Sequence, residues 1–181
     1  LERRSGRSIE ITAVSARTKD KDRGMSLDGY AWEEDPVKLA QRDDIDIFVE
    51  LMGGHEGSAL EATRAAIISG KDVVTANKAM LAHHGHTLAV RSEENNSVIR
   101  FEAAVVGGIP VIKSLTEGLA GNVITRVMGV MNGTCNYILA QMQATGRGYK
   151  ALFEECAKLG FLEADPNLDV GGIDAGHKLS L

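Results

Sequence analysis

The sequence lacks several features that would point to particular classes of protein. No apolar run approaches the roughly 20 residues that span a bilayer, and the basic residues 1–7 lead into no apolar signal segment. Two cysteines, Cys135 and Cys156, are too few and too far apart for a disulfide framework or a zinc motif. Twenty basic against 25 acidic residues give a formal charge of −5, which does not favour nucleic acid or an anionic membrane. We therefore expect a cytoplasmic protein that binds a small molecule.

The composition indicates a folded protein whose backbone comes close to a ligand. Hydrophobic residues make up 44% and charged residues 25% of the 181 residues, as in globular domains. A compact chain of this length buries about 70% of its unfolded surface, which is enough for a core without disulfides. Glycine is abundant, with 20 residues, and glycine allows close backbone approach. We therefore expect glycine-containing loops at a binding site.

Short apolar stretches alternate with helical patterns over the first hundred residues. β-branched and apolar runs predict strands at residues 9–16, 45–52, 72–76 and 98–103. Helical spacing and capping signals predict helices at residues 36–41, 58–69 and 81–94, and a charged loop at 18–32. This order is typical of a doubly wound α/β sheet with parallel strands. The nearly continuous apolar run 45–52 also predicts a strand covered on both faces.

Sheets of this kind bind ligands beyond the carboxyl ends of their strands. Nucleotide-binding members use a Gly-rich turn after the first strand, where backbone amides and a helix N-terminus hold a pyrophosphate. No G-x-G-x-x-G motif precedes residue 9. We expect residues 1–7 to be the end of a first helix and the sheet to be incomplete at its N-terminus. The alternative is a fold that starts with strand 9–16.

The pattern changes near Asn122, where we place a domain boundary. Residues 1–122 would form the doubly wound domain, and residues 123–181 would begin an α+β domain for substrate binding or dimerisation. A helix at 109–118 precedes the boundary. The predicted elements after it are a strand at 123–131, helices at 136–144 and 149–159, an acidic loop at 163–169 and a final helix.

Two segments after predicted strands could carry chemistry. In VTANK, Lys78 would lie where an anionic or carbonyl oxygen of a ligand sits, although a solvated surface lysine is the more common reading. In EAAVVGGIP, the carboxylate of Glu102 precedes Gly107 and Gly108, whose backbone carbonyls could turn inward. Oxygen donors of this kind suit a hard cation. A tight turn followed by a helix explains the same residues without a ligand.

The last twenty residues combine acids with a lysine. Asp174 and Lys178 lie four apart and share a helical face, while Glu163 and Asp169 approach from the preceding loop. A surface salt bridge would explain the pair alone, but not the proline-fixed acidic loop beside it, which suits an ammonium. His83, His84 and His86 lack a carboxylate or cysteine partner at metal-ligand spacing, so we interpret them as exposed helix residues.

Four stretches together resemble the homoserine dehydrogenase family. They are VVTANKAMLAHHG (73–85), FEAAVVGGIPVI (101–112), GVMNGTCNYIL (129–139) and GFLEADPNLDVGGIDAGHK (160–178). They occur in the family's order, and the resemblance extends from about residue 9 to the end. Members of that family begin with the Gly-rich turn and continue past the last of these stretches. The resemblance implies a Rossmann-like nucleotide-binding domain and the reversible NAD(P)H-dependent reduction of aspartate 4-semialdehyde to homoserine.

The resemblance also assigns roles to residues around the reacting carbonyl. Hydride delivery to an aldehyde leaves charge on oxygen, so the site needs a proton donor and a positive field. By the match, Lys178 is the general acid and base, and Lys78 is a second catalytic lysine that also contacts the cofactor. Asp169 and Asp174 would orient Lys178 and the reacting hydroxyl, and Glu163 would hold the substrate ammonium. Asn132, Gly133 and Thr134 match the family's segment at the junction of nicotinamide and substrate.

The resemblance further implies two bound groups besides the substrate. Thr75, Asn77 and Gly160 match cofactor-binding positions, and Glu102 with the carbonyls of Val105, Gly107 and Ile109 matches a structural site for a monovalent cation, Na⁺. The preference between cofactors is read from the residues themselves. An acid at the end of the second strand would accept the ribose hydroxyls of NAD, whereas Arg17 and Lys19 stand there instead. We therefore expect NADP, with NAD as the alternative.

The expected partners are small molecules and a second copy of the chain. The family's reaction leads toward threonine, methionine and isoleucine, and an unfinished sheet after residue 123 favours a homodimer or homotetramer, since edge strands rarely stay unpaired. Two alternatives remain open at this point. A related dehydrogenase for another semialdehyde would keep Lys78 but lack the residues from Glu163 to Lys178. A catalytically silent fragment would serve only in binding or oligomerisation.

Overall fold

The computed structural model describes residues 2–162 and 165–181, and it divides into two compact units. The first unit is Leu1–Ala103 and the second is Ala104–Leu181. In chain order the first contains α1 Glu2–Ser5, β1 Ala13–Val14, β2 Ala31–Trp32, α2 Pro36–Ala40, β3 Ile47–Glu50, α3 Ser58–Ile68, β4 Asp72–Thr75, α4 Lys78–Glu94 and β5 Ile99–Arg100. In the described part of the chain, none of the helices has the length and apolar character that crossing a bilayer requires.

The first unit is built around a parallel sheet with strand order β3-β4-β5. Phe48 pairs with Val73, which in turn pairs with Ile99. Alternate side chains of β3 and β4 are buried, and α3 packs against both strands. The parallel pairing predicted for these three strands is confirmed.

The first predicted strand does not join this sheet. Only Ala13–Val14 of residues 9–16 is a strand, and it pairs in parallel with Ala31–Trp32 in a separate two-stranded sheet. The prediction of one sheet is therefore wrong for β1, and the predicted loop 18–32 ends in a strand. A strand forms only where a neighbour supplies hydrogen bonds, and periodicity alone does not identify that neighbour.

The predicted burial of residues 45–52 on both faces is also not observed. Ile47 and Val49 are more than half exposed, whereas Phe48 and Glu50 are buried on the opposite face. An apolar run shows that a strand can be buried on both faces, but it does not show that neighbouring elements cover both. Helix α3 packs against β3, and Phe48 is buried.

Several predicted element ends differ from the observed ones because of local hydrogen bonds. Helix α4 begins at Lys78 rather than residue 81, since the Asn77 side chain accepts from Met80 N at 3.0 Å. The strand predicted at 98–103 is only Ile99–Arg100, because a short helix, α5 (Glu102–Val105), begins at Glu102. The helix predicted at 109–118 is α6 (Val111–Lys113) followed by a π-helical turn, Ser114–Gly118.

The second unit is helical in its described residues. After α6 it contains α7 Gly133–Thr145, α8 Tyr149–Leu159, α9 Pro166–Val170 and α10 Ile173–Ser180. Its core is formed by Ile138, Leu152 and Cys156, against which Tyr137 and Phe153 pack. Helix α8 has the predicted bounds, and α7 begins three residues before the predicted start because the Asn132 side chain caps it.

Residues 123–131 do not form the predicted strand. Their backbone has no strand partner among the described residues, and their apolar side chains are exposed, with Val123 at 88% and Met128 at 79%. A lone extended segment has no ladder to satisfy its backbone groups. The sequence pattern is that of a strand, but a second strand is needed to make one.

The acidic loop predicted at 163–169 contains a helix instead. Asp165 caps α9 by accepting from Asn167 N at 3.0 Å, so Asp169 is helical. Gly171 follows, and a Cβ at this position would lie 2.5 Å from the carbonyl oxygen of Asn167, which only glycine avoids. Gly172 has a φ of +77°. These two glycines allow α10 to begin directly after α9, which brings Asp174 near Asp169.

The helical core of the second unit predicts that two leucines of α8 contribute unequally to the free energy of unfolding. Leu152 is fully buried, whereas Leu159 on the same helix is 52% exposed. We expect Leu152→Ala to lower the free energy of unfolding by about 2–5 kcal/mol and Leu159→Ala by less than about 0.5 kcal/mol. Urea unfolding of the intact protein followed by circular dichroism measures both. Equal losses would show that α8 does not pack as described.

Candidate active site

A buried carboxylate organises the carboxyl end of the first unit's sheet. Glu50, the last residue of β3, is fully buried, and its Oε1 accepts from Met52 N at 2.6 Å and from Gly53 N at 3.2 Å. Its Oε2 accepts from Thr75 Oγ1 at 2.6 Å. Because the two oxygens bind different strand ends, Glu50 fixes the turn after β3 against the end of β4.

Asn77 closes the same group of hydrogen bonds. Its backbone N donates to Thr75 Oγ1 at 2.9 Å, and its side-chain Nδ2 donates to the carbonyl of Gly54 at 2.7 Å. Its Oδ1 caps helix α4, whose first residue is the half-buried Lys78. We call Glu50, Thr75 and Asn77 the strand-end network. It joins Thr75 and Asn77, two residues predicted to bind the cofactor, through hydrogen bonds that their side chains make inside the protein.

The two predicted phosphate-binding cations lie on an exposed loop after β1. Arg17 and Lys19 are both exposed, and Lys19 Nζ lies 5.9 Å from the centroid of the Trp32 ring. The guanidinium of Arg23 donates to the carbonyls of Thr18, Lys19 and Lys21 at 2.6 to 3.1 Å. Arg23 therefore ties this loop together, a role that the charged composition of the segment did not reveal.

In the second unit, an amide joins two buried carboxylates. Asn132 Nδ2 donates to Asp169 Oδ1 at 2.8 Å and to Asp174 Oδ2 at 2.9 Å. Asp169 and Asp174 are 3% and 2% exposed. The other end of the same amide, Oδ1, accepts from Cys135 N at 2.8 Å and caps α7. One side chain thus connects α7, α9 and α10.

Lys178 completes this group, which we call the carboxylate–lysine cluster: Asn132, Asp169, Asp174 and Lys178. Lys178 Nζ donates to Asp174 Oδ2 and to the carbonyl of Met131, each at 2.8 Å. The predicted i,i+4 pair is therefore formed, but Asp174 is buried and the Lys178 side chain is only 22% exposed. Such a pair differs from a solvated surface salt bridge, which contributes little to stability.

The thiol of Cys135 borders the cluster. Its Sγ donates to the carbonyl of Asp169 at 3.4 Å. Burial raises the pKa of this thiol above its ordinary value, and the charges of Asp169 and Asp174 raise it further. Cys135 therefore stays a protonated donor beside the carboxylates, which is not the environment of a reactive thiolate.

The remaining predicted substrate and cofactor residues of the second unit are more dispersed. Gly133 is the exposed first residue of α7, and Thr134 is buried with its Oγ1 donating to the carbonyl of Phe161 at 2.9 Å. Gly160 ends α8 with a left-handed φ of +72°. Glu163 lies outside the described residues.

The residues predicted for a cation lie along one stretch of chain. Glu102 is half-buried at the start of α5, and Val105 is the last residue of that helix. Gly107 has a φ of +65°, and the carbonyl of Ile109 accepts from Val111 N at 2.8 Å. Among the described residues, no group of three or more histidine, cysteine, aspartate or glutamate side chains could hold a metal ion. Of the three histidines interpreted as exposed, His83 and His86 are exposed, whereas His84 is half-buried and its Nε2 lies 2.9 Å from Glu56 Oε1.

Sequence reasoning missed Glu50, and it placed Asn132 in the family's nicotinamide and substrate segment without its contacts to the acids. Glu50 is an acid within an otherwise apolar strand, and a buried acid there signals a specific set of donors. Asn132 immediately precedes a helix, which identifies a cap but not the second use of its amide. Both roles depend on contacts with segments more than 20 residues away in the chain.

The parallel sheet with its helices and polar carboxyl edge is that of a Rossmann-like α/β protein. A family model described as the NAD-binding domain of homoserine dehydrogenase matches residues 1–102, and one described as homoserine dehydrogenase matches residues 110–181. The chain belongs to the homoserine dehydrogenase family. The resemblance noted in the sequence motifs is thereby confirmed.

Individual relatives agree with this assignment. The chain is 44% identical over its whole length to a homoserine dehydrogenase of Neisseria gonorrhoeae, of which it covers 41%. The crystal structure of a homoserine dehydrogenase from Thiobacillus denitrificans superposes with a TM-score of 0.86 at 41% identity, over 98% of this chain and 41% of that one. A hyperthermophilic archaeal homoserine dehydrogenase in complex with NADPH matches 83% of this chain and 46% of its own, with a TM-score of 0.74 and 35% identity. The chain thus spans about two fifths of the length of these relatives.

The strand-end network predicts that Glu50 stabilises the first unit. Glu50→Ala leaves the buried Thr75 hydroxyl and two backbone amides without their acceptor, so we expect the free energy of unfolding to fall by at least about 1–3 kcal/mol. The control is Glu56→Ala, because that side chain is 63% exposed and pairs only at the surface; its loss should stay below about 1 kcal/mol. Urea unfolding compares the two, and equal losses would contradict the network.

Proposed function

We propose that the intact protein is a homoserine dehydrogenase that reduces aspartate 4-semialdehyde reversibly to homoserine. The observation that carries the proposal is the carboxylate–lysine cluster, in which a partly exposed ammonium is held by one buried carboxylate and one carbonyl. This reaction would serve the biosynthesis of threonine, methionine and isoleucine in the cytoplasm. Family membership supports it, as do the relatives that carry the same name.

Lys178 is the proposed proton donor and acceptor. An ammonium has three N–H donors, and within the described residues two of them are used by Asp174 and Met131. The third can point to the oxygen of the substrate. After that proton moves to the substrate oxygen, the two remaining N–H groups can keep their partners, so the amine stays in place to accept a proton in the reverse direction.

The other substrate contacts follow from charge. We propose that Asp169 and Asp174 orient Lys178 and the reacting hydroxyl, that Glu163 binds the substrate ammonium, and that Gly133 and Thr134 lie beside the bound amino acid. Acidic groups suit a substrate whose amino group is positive. Because Asp174 is the acid that binds Lys178, assigning the substrate ammonium to Glu163 avoids competition between the two cations for one carboxylate.

The first unit fits a nicotinamide dinucleotide at the carboxyl ends of its strands. Gly53 and Gly54 have positive φ values and lie in an exposed turn, and no atom lies within 4 Å of a Cβ built on Gly53, so this backbone is open to a ligand. When bound, the cofactor supplies the hydride. We propose that Thr75, Asn77 and Lys78 shape this edge, that Gly160 contributes backbone contacts, and that Lys78 also serves as the second catalytic lysine.

A structural monovalent cation is a further part of the proposal. Glu102 offers a carboxylate, and Val105, Gly107 and Ile109 offer carbonyl oxygens, which are the donors that a hard cation such as Na⁺ accepts. The carbonyl of Ile109 already accepts from Val111 N, but a carbonyl oxygen retains a second lone pair. These residues would hold the ion as a structural element, with no part in the proton transfer.

A homodimer or homotetramer is the proposed assembly. The support is the apolar stretch at residues 123–131, which is rich in β-branched and other apolar residues and leaves Val123 and Met128 exposed. A strand of this type normally finds a partner strand. A second copy of the chain would supply it.

The lysine carries the central prediction. In the intact protein, Lys178→Ala should lower kcat for semialdehyde reduction by about two to four orders of magnitude, with a much smaller change in KM. Lys178→Arg should also be slow, because a guanidinium keeps the charge but does not release its proton. Lys158→Ala, at an exposed lysine of α8, is the control. Steady-state rates in both directions test this, and near wild-type turnover of Lys178→Ala would remove Lys178 from the chemistry.

The cofactor preference forms a separate prediction. Arg17 is exposed after β1, and no acid stands between Ser15 and Lys19. We expect a higher kcat/KM with NADPH than with NADH, and Arg17→Ala should lower the NADPH value by about 10- to 100-fold, the worth of a charge-assisted hydrogen bond. The NADH value of the same variant is the internal control and should change little. A wild-type preference for NADH, or unchanged NADPH kinetics in Arg17→Ala, would contradict the assignment.

A further inference from the structure

The side chain of Asn132 does more than a helix cap requires. Aspartate, serine and threonine cap helices about as well as asparagine, because a cap needs only an oxygen acceptor. Asn132 uses its Oδ1 for that purpose and directs its Nδ2 at two carboxylates, 2.8 Å from Asp169 and 2.9 Å from Asp174. The capping role therefore does not explain why the residue carries an NH₂ group.

The two carboxylates need a donor that brings no charge. Both are almost fully buried, where like charges repel strongly and an unpaired carboxylate is costly. A lysine or arginine at position 132 would neutralise them but would compete with Lys178 for Asp174. The amide offers two N–H donors without a charge, so it can hold both acids while Asp174 keeps its full attraction for the ammonium.

We propose that Asn132 is a positioning residue for the dehydrogenase reaction. Its amide holds Asp169 and Asp174 side by side, and through Asp174 it sets the place of the Lys178 ammonium. Asn132 itself passes no proton and acts only through these two acids. The expected effect on kinetics rests on the proposed function. The bridge, by which we mean the two hydrogen bonds from the Asn132 amide to Asp169 and Asp174, can be tested without activity.

The substitution Asn132→Asp separates the cap from the bridge. The new carboxylate can still cap α7, but it replaces the donor with a third negative group facing Asp169, Asp174 and the Lys178 ammonium. On its own helix it meets the backbone N–H of Cys135, whose protonated thiol donates to the carbonyl of Asp169. When the introduced acid takes up a proton at low pH, it regains one O–H donor. The losses of kcat and of melting temperature in Asn132→Asp should therefore grow as the pH rises.

Two further variants make the comparison specific. Asn132→Ser keeps a capping oxygen, adds no charge and loses the double donor. Asn136→Asp adds the same charge one turn further along α7, at an exposed position. Melting temperatures and steady-state kinetics of the intact protein are measured for all three variants and wild type between about pH 6 and about pH 9, where an ordinary carboxylate far from other acids stays ionised.

The expected results distinguish a bridge from a simple cap. Relative to wild type, Asn132→Asp should lose about 10²-fold in kcat near pH 8, the effect of misplacing a catalytic group by about an ångström, and recover at least several-fold toward pH 6. Its melting temperature should fall relative to wild type over the same rise in pH. Asn132→Ser should lose kcat by a factor that does not depend on pH, and Asn136→Asp should behave as wild type.

Failure of this inference differs from failure of the proposed function. If wild type reduces the semialdehyde but Asn132→Asp matches it at every pH, or loses kcat by a constant factor, Asn132 is only a cap. If Asn132→Asp does not fold, wild-type kcat in Asn132→Ser overturns the proposal. If wild type shows no activity with either nicotinamide cofactor, the proposed function fails, while the pH-dependent melting temperature of Asn132→Asp still supports the bridge, and its absence refutes it.

Discussion

The arrangement of the second unit depends on one amide placed between two buried acids. Asn132 caps α7 at one end and binds Asp169 of α9 and Asp174 of α10 at the other. Lys178 then needs only one helical turn to reach Asp174. Because α9 and α10 are short helices joined at Gly171 and Gly172, these polar contacts define their orientation as much as any apolar packing does.

The first unit also buries a carboxylate, but here the acid is the central group and several donors surround it. At the end of β3, Glu50 is the acceptor, and donors come to it from the turn after β3 and from Thr75 at the end of β4. In both units, then, neutral donors bind buried carboxylates, and in the second unit Asp174 also pairs with Lys178. Neutral donors cost less to bury than a second ion, and they add no cation that would compete with Lys178 for Asp174.

The sequence predicted the parts of the fold that depend on local signals. Asp35 before Pro36 and Gly70 after α3 bound helices where they were expected, and α8 has its predicted ends. The errors occur where a distant segment decides: β1 pairs with β2 instead of β3, and residues 123–131 lack a partner strand in the described chain. The pairing of Asp174 with Lys178 was predictable from spacing, but its burial and the bridge through Asn132 required the 42-residue contact that the structure reveals.

Stability alone would not select this cluster. Two acids that are almost fully buried around one amide and one lysine carry a desolvation penalty that apolar residues of similar size would avoid. The helical core of Ile138, Leu152 and Cys156 shows that the same unit packs apolar side chains well a short distance along its helices. The acids are therefore best explained by what the cluster holds: an ammonium fixed by Asp174 and by the Met131 carbonyl, whose third hydrogen is left, within the described residues, for a further acceptor.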